Sequence, residues 1–266
     1  MPSSGADPGR CARRTISRLW SLTGIGLLLA LWEAGHRAYG PIVLPGLDDT
    51  AVALLAMLRD GTVGLALAET GGHALAGWLA GAGAGIATGT LAGFRDADPR
   101  SPPACRHRFV GVPAIAWVVM ALLWFGGGWA VVFTVAVATG PLAFAAAVEG
   151  TRSLDAPLIR MAQVFRLPLG ARLVHLHLPH MASHLFPVLA TTLAMSWKVA
   201  IMAELLAGAG GIGDALAGAR ARIDTAQTMA LVVVVVAVLV VVDFGLLQPL
   251  RRRLFAWRDD AGRGGS

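Results

Sequence analysis

The run "LVVVVVAVLVVV" at 231–242 restricts what this chain can become. β-Branched residues in such density read as strand in water. Here they sit inside "TMALVVVVVAVLVVVDFGLLQPL", an apolar segment of the length, about 20 residues, that crosses a hydrocarbon core. In lipid only elements that satisfy their own backbone survive, so the run is predicted to be a lipid-facing helix.

Five further apolar runs precede it: "LWSLTGIGLLLALWEAGHRAY", "VGLALAETGGHALAGWLAGAGAGIATGTLAGF", "FVGVPAIAWVVMALLWFG", "WAVVFTVAVATGPLAFAAAV" and the stretch from Phe186 to about Ala207. With 56% hydrophobic and 14% charged residues over 266 positions, the chain is more apolar than soluble domains of that size. The expected architecture is all-α and polytopic, with six transmembrane helices.

Charge sets the orientation. Arg10, Arg13, Arg14 and Arg18 precede the first run, and Arg95, Arg100, Arg106 and Arg108 separate the second from the third. Arg152, Arg160, Arg166 and Arg172 separate the fourth from the fifth, and Arg251, Arg252, Arg253 and Arg258 follow the sixth. The intervening loops, around Asp48, Asp49 and Asp60, around Gly126–Gly128, and around Asp214, Arg220, Arg222 and Asp224, are acidic, neutral or mixed. Alternation of this kind predicts both termini on the cytoplasmic side. It divides the chain into a basic tail (1–18), a six-helix domain (19–250) with a long cytoplasmic loop at about 149–185, and a C-terminal tail (251–266). Arg13 and Arg14 before an apolar run also resemble a twin-arginine signal. With no small-x-small cleavage site following, they are expected to be a basic anchor. The net charge of +6 is carried almost wholly by arginine between apolar runs, which points to loops beside a membrane and away from nucleic acid.

Within the second run, Gly77, Gly81, Gly85, Gly89 and Gly93 repeat every fourth residue. Such a stripe lets a second helix approach closely along its whole length. Bundle packing is therefore expected of it, since an all-glycine stripe offers no side chain with which to select a solute.

Enzymatic signatures are missing. There is no G-x-x-x-x-G-K-[ST] loop, and the only lysine, Lys198, lies inside an apolar run, so the chain does not cradle nucleotide phosphates in that way. Neither G-x-S-x-G, H-E-x-x-H nor C-x-x-C occurs. Ser183 and His184 are adjacent and diverge by about 100° on a helix, which disfavours them, like Ser196, as parts of an intramembrane protease. His180 and His184 stand i,i+4 and could meet one ion, but no carboxylate or cysteine nearby completes a shell, and Pro179 separates them from His175 and His177. Interfacial contacts are expected of them, and no metal site. Cys11 and Cys105 fall in basic segments expected in the cytoplasm, so no disulfide is predicted.

The loop between runs four and five remains: "LIRMAQVFRLPLGARLVHLHLPHMASHLFP". Pro157 suits the first turn of a short helix reaching about Arg166. Leu167-Pro168-Leu169-Gly170 breaks it, and a second helix runs to Leu178 before Pro179 opens the approach to the fifth span. Helix, bend and helix on the cytoplasmic face suit docking into another protein.

This segment resembles the cytoplasmic E-A-A loop of binding-protein-dependent ABC importer permeases. Ala162 stands at the second alanine of that pattern, and Leu178-Pro179 at its Leu-Pro. Arg160, Met161 and Arg166 replace the usual Glu, Ala and Gly. Further fragments are similar to the nitrate, sulfonate and taurine branch: "VLPGLDDT", "GVPAIAWVVMALLWFGGG", "SWKVAIMAELLAGAGGIGDAL" with Glu204 and Gly211-Ile212-Gly213, and "DFGLLQPLRRRLFAWR" with Asp243. His73 replaces a usual arginine. The resemblance implies a type I importer permease subunit with no cofactor of its own, ATP being bound by a cytosolic ATPase partner that docks on Arg160, Met161, Ala162, Arg166, Gly170, Leu178 and Pro179. It further implies a periplasmic solute-binding protein, a homodimer in the inner membrane, and a small anionic solute such as a sulfonate, taurine or nitrate. A different solute of the same branch, such as a pyrimidine precursor, is the alternative within the family, and a stand-alone channel or secondary carrier the alternative outside it.

Charges inside membrane spans are expensive and by default functional. Lys198 and Glu204, six apart, lie about 240° apart around a helix and cannot pair with each other. Lys198 is a candidate for the translocation path, or for a structural pair with Glu69 or Asp243. Glu204, near the outer end of its span, is a candidate for the path or for capping the following loop. Asp243 is expected in an ion pair at a helix end.

Overall fold

Where backbone polar groups must be satisfied without water, helices are the route open to isolated apolar runs, and the described chain is all-helical. The computed structural model describes residues 8–96, 114–153 and 178–247, with the single positions 161, 164, 165 and 168. Helix α1 (Pro8–Tyr39) contains the first apolar run and stops where Gly40 takes φ +79°. The segment that follows folds back onto it. Trp32 Nε1–H donates to the Pro45 carbonyl at 3.0 Å and His36 Nδ1–H to that of Leu44 at 2.7 Å. Then come α2 (Leu47–Arg59), α3 (Thr62–Asp96), α4 (Ala114–Trp124), α5 (Gly128–Arg152), α6 (Leu178–Ala207), α7 (Gly211–Ala221) and α8 (Thr225–Val240). The last continues as a π-helical turn, Val241–Leu247.

Among the described residues, four stretches are long and apolar enough to cross a membrane: Thr62–Phe94, Gly128–Arg152, Leu178–Ala207 and Thr225–Gly245. They hold the second, fourth, fifth and sixth runs. The third run contributes α4. The valine-rich run is helical, with Leu231 and Val234 buried and Val232, Val233, Val236 and Val240 exposed. Its N-terminus is capped by Asp224, whose Oδ1 accepts from the Gln227 N–H at 2.9 Å.

Two short helices occupy segments that the charge pattern marks only as loops. α2 opens with Asp48 and Asp49 and closes with Arg59, an order that complements the helix dipole. α7 follows the glycine-rich turn after α6. Met57 of α2, Val63 of α3, Ile212 and Ala219 of α7, and Leu231 and Val234 of α8 form one buried cluster, so these two helices cap one end of the bundle. At the other end α5 persists to Arg152 and α6 begins at Leu178, with Pro179 in its first turn where a missing N–H costs nothing. Both flanks of the expected 149–185 loop are therefore helical extensions of spans.

The most extensive packing joins α3 to α5, and the glycine stripe accounts for it. Gly77, Gly81, Gly85, Gly89 and Gly93 are all buried. A Cβ at any of the first four would lie less than 3.0 Å from a carbonyl oxygen of α5, those of Val132, Ala136, Gly140 and Phe144 in turn. At Gly93 it would meet the Thr151 side chain. The expected packing role holds at every rung, and it puts the two helix backbones in direct contact over four turns.

Candidate functional site

Helix α6 has two unlike faces. Val199, Ala200 and Ala203 are buried with Ala74 of α3 and Val131 and Val135 of α5. Met195, Lys198 and Met202, at i, i+3 and i+7, are exposed on the opposite side. Lys198 makes no ion pair among the described residues. Neither Glu69 nor Asp243 is its partner. An ammonium group in the middle of a span is stable only against water, a counter-charge or a polar partner.

Glu204, one and a half turns further on, is enclosed. Its side chain is fully buried, and both oxygens are used. Thr70 Oγ1–H donates to Oε2 at 2.8 Å, the Gly213 N–H donates to the same oxygen at 3.2 Å, and His73 Nδ1 lies 2.9 Å from Oε1. Beside it the Gly211 N–H donates to Glu69 Oε2 at 2.7 Å and the Ile212 N–H to Thr70 Oγ1 at 2.9 Å. The first three N–H groups of α7, which have no partner inside their own helix, are thus met by α3 and α6. Two carboxylates at that N-terminus also face the positive end of its dipole. The turn leading in demands glycine. Gly210 and Gly211 have φ +80° and +84°, and a Cβ would come within 2.6 Å of the Glu69 carboxylate in the first case and 2.5 Å of that of Glu204 in the second. Gly128, the first residue of α5, lies against His73 Nε2.

Glu204 thus bonds to the start of the following helix and to α3, about 120° around α6 from Lys198. Glu69, Thr70 and the three N–H groups of the Gly211–Gly213 turn were not legible as one cluster. Their only signal was the excess of glycine after Glu204, since the partners come from a helix more than 130 residues away.

At the opposite end lie the residues of the long loop. Arg160, Ala162, Arg166 and Gly170 lie outside the described residues, as do His175, His177, Cys105 and the arginines from 251 onward. Met161 is described and exposed, with Val164 and Phe165 at helical spacing beside it and equally exposed. The Phe165 N–H donates to the Met161 carbonyl at 3.0 Å, one helical turn. Together they form an apolar i, i+3, i+4 face that no described residue of this chain covers. Of these three only Met161 belongs to the expected docking set, although Val164 and Phe165 stand at helical spacing from it. Leu178 is exposed at the start of α6, next to Pro179. Below them the His180 and His184 side chains bond to Ser153, a contact within the chain where headgroup or partner contacts were expected. Asp243 is half-buried in the π-helical turn and has no ion pair among the described residues.

Comparison with known proteins bears directly on this arrangement. The family described as binding-protein-dependent transport system inner membrane component matches residues 108–254, more than half of the chain. The putative aliphatic sulfonates transport permease protein SsuC of Bacillus subtilis is 23% identical over 236 residues, 88% of this chain and 85% of that one. A probable ABC transporter permease protein of Brucella abortus is 25% identical over 248 residues, covering 90% of this chain and 98% of its own. The taurine transport system permease protein TauC of Escherichia coli is 25% identical over 150 residues, 56% of this chain and 54% of its own. The chain belongs to the family of inner-membrane components of binding-protein-dependent transport systems, and is a multi-pass ABC transporter permease.

Proposed function

We propose that the chain is the six-span permease subunit of an ATP-driven importer for a small anionic, sulfonate-like solute. Both termini face the cytoplasm, in keeping with the arginine clusters between alternate spans. A periplasmic binding protein delivers the solute, two copies of the chain enclose the path, and cytosolic ATPase subunits dock on the 149–185 segment. Nucleotide-driven closure of the ATPases draws the docked segments together and rocks the permease halves between outward- and inward-open states. The relatives named for aliphatic sulfonates and taurine support an organosulfonate as the solute class.

The observation that carries this reading is the open face of α6. The chain's single lysine stands exposed within a span, between Met195 and Met202 and opposite the packed face. Facing its counterpart in a second copy across a water-filled path, it would be solvated when the path is empty and paired when an anion passes. Lys198→Met is expected to lower sulfonate uptake in proteoliposomes of the full transporter roughly ten- to hundredfold, the equivalent of one charged hydrogen bond. Stability should be unchanged, because Lys198 makes no ion pair among the described residues. Uptake that survives Lys198→Met while the protein loses stability would assign the lysine to structure and remove the support for this path.

A further inference from the structure

His180 and His184 lie one turn apart at the start of α6, and both direct Nε2 at the same atom. Each Nε2 is 3.0 Å from Ser153 Oγ, and the two ring centroids are 5.2 Å apart. Ser153 is the residue immediately after α5. The approach is set by packing: a Cβ at Gly150 would fall 3.2 Å from the Met181 Cα and 3.4 Å from the His184 Cβ, so glycine lets the end of α5 close onto this face of α6. All three side chains are half-buried and remain within reach of solvent.

A serine hydroxyl has one proton. It donates to one of the two rings and accepts from the other, so one imidazole carries its proton on Nε2 and the other on Nδ1. Two convergent imidazole nitrogens with an oxygen donor between them are the donor set of a borderline divalent transition-metal ion. We propose that Ser153, His180 and His184 form a binding site for such an ion, Zn²⁺ in particular, with water completing the shell. On binding, the ring protonated at Nε2 shifts its proton to Nδ1, and both nitrogens become ligands. The donors come from the last residue before the 154–177 segment and the first turns of the helix after it. An occupied site therefore ties the two ends of that segment together and, on the function proposed above, restrains the segment on which the ATPase docks.

The test uses the full chain in lipid nanodiscs, purified without a histidine tag, and Zn²⁺ titrated against a chromophoric chelator. Binding of one Zn²⁺ per chain is expected. It should be lost in His180→Gln and in His184→Gln, and weakened by about tenfold in Ser153→Ala, where water takes the place of the hydroxyl donor. Ser153→Cys supplies a thiolate and should bind Zn²⁺ more tightly than the unsubstituted chain, a gain that no folding defect can imitate. Amide exchange at 150–153 and 178–184 should slow on Zn²⁺ addition only where binding occurs. Zn²⁺ binding that persists with both histidines replaced, or an affinity unmoved by Ser153→Cys, would overturn the proposal.

Discussion

Glu204→Ala is expected to destabilise the purified protein by about 3–5 kcal/mol, the cost of removing one partner from a buried charged cluster. The loss has three parts. Thr70 Oγ1 and the Gly213 N–H lose their shared acceptor, and His73 is left beside a void. Each buried donor without a partner costs about 1–3 kcal/mol. Glu204→Gln should lose less, because an amide oxygen still accepts at one of the two oxygen positions. Its NH₂ would face a donor at the other, so recovery is partial. Thermal unfolding in detergent, followed by tryptophan fluorescence, measures all three proteins. A Glu204→Ala variant as stable as the parent would mean that the cluster does not hold α7 to α3 and α6.

The second large effect falls on the glycine stripe. Gly85→Val should abolish accumulation of the folded protein in the membrane. A Cβ there already collides with the Gly140 carbonyl of α5, and the two γ-methyls of valine have no room to turn away. Overpacking in a core costs about 1–3 kcal/mol where side chains can yield. Here the obstacle is backbone, which can give way only by separating α3 from α5, the most extensive helix pair. Gly83→Val is the matched control. Gly83 is exposed two residues away on the opposite face of the same helix, with open space around its Cβ position, and should be tolerated. Equal loss at 83 and 85 would attribute the effect to the helix itself instead of its packing.

These two sites mark what was legible in the amino-acid sequence. The stripe was readable because its information is local: five glycines at a spacing of four define one face of one helix, whatever packs on it. The apolar runs were readable for the same reason, since lipid leaves the backbone few choices. The polar cluster was not. Glu204, His73 and Gly211–Gly213 were each noticed separately, but nothing in their spacing says that α3 and α6 meet at that level. α2 and α7 were missed because their charged residues read as an outer loop, and the hydrophobic periodicity of α2 is short. The convergence of His180 and His184 on Ser153 depended on where α5 ends, a boundary that sequence patterns place poorly. Lys198 was flagged by cost alone, and only the faces of α6 gave it a direction.

The central claim is that an ATPase drives this permease through the segment between α5 and α6. Phe165, exposed on that segment beside Met161 and Val164, is the position from which to test it. A photoreactive phenylalanine analogue placed there, in cells carrying the complete transport system, should crosslink on illumination to a cytosolic ATP-binding subunit. The same probe at Leu79, exposed on α3 within a span, should give lipid adducts and no ATPase. If solute uptake continues while Phe165 yields no ATPase adduct, the segment is not the coupling element and the account fails.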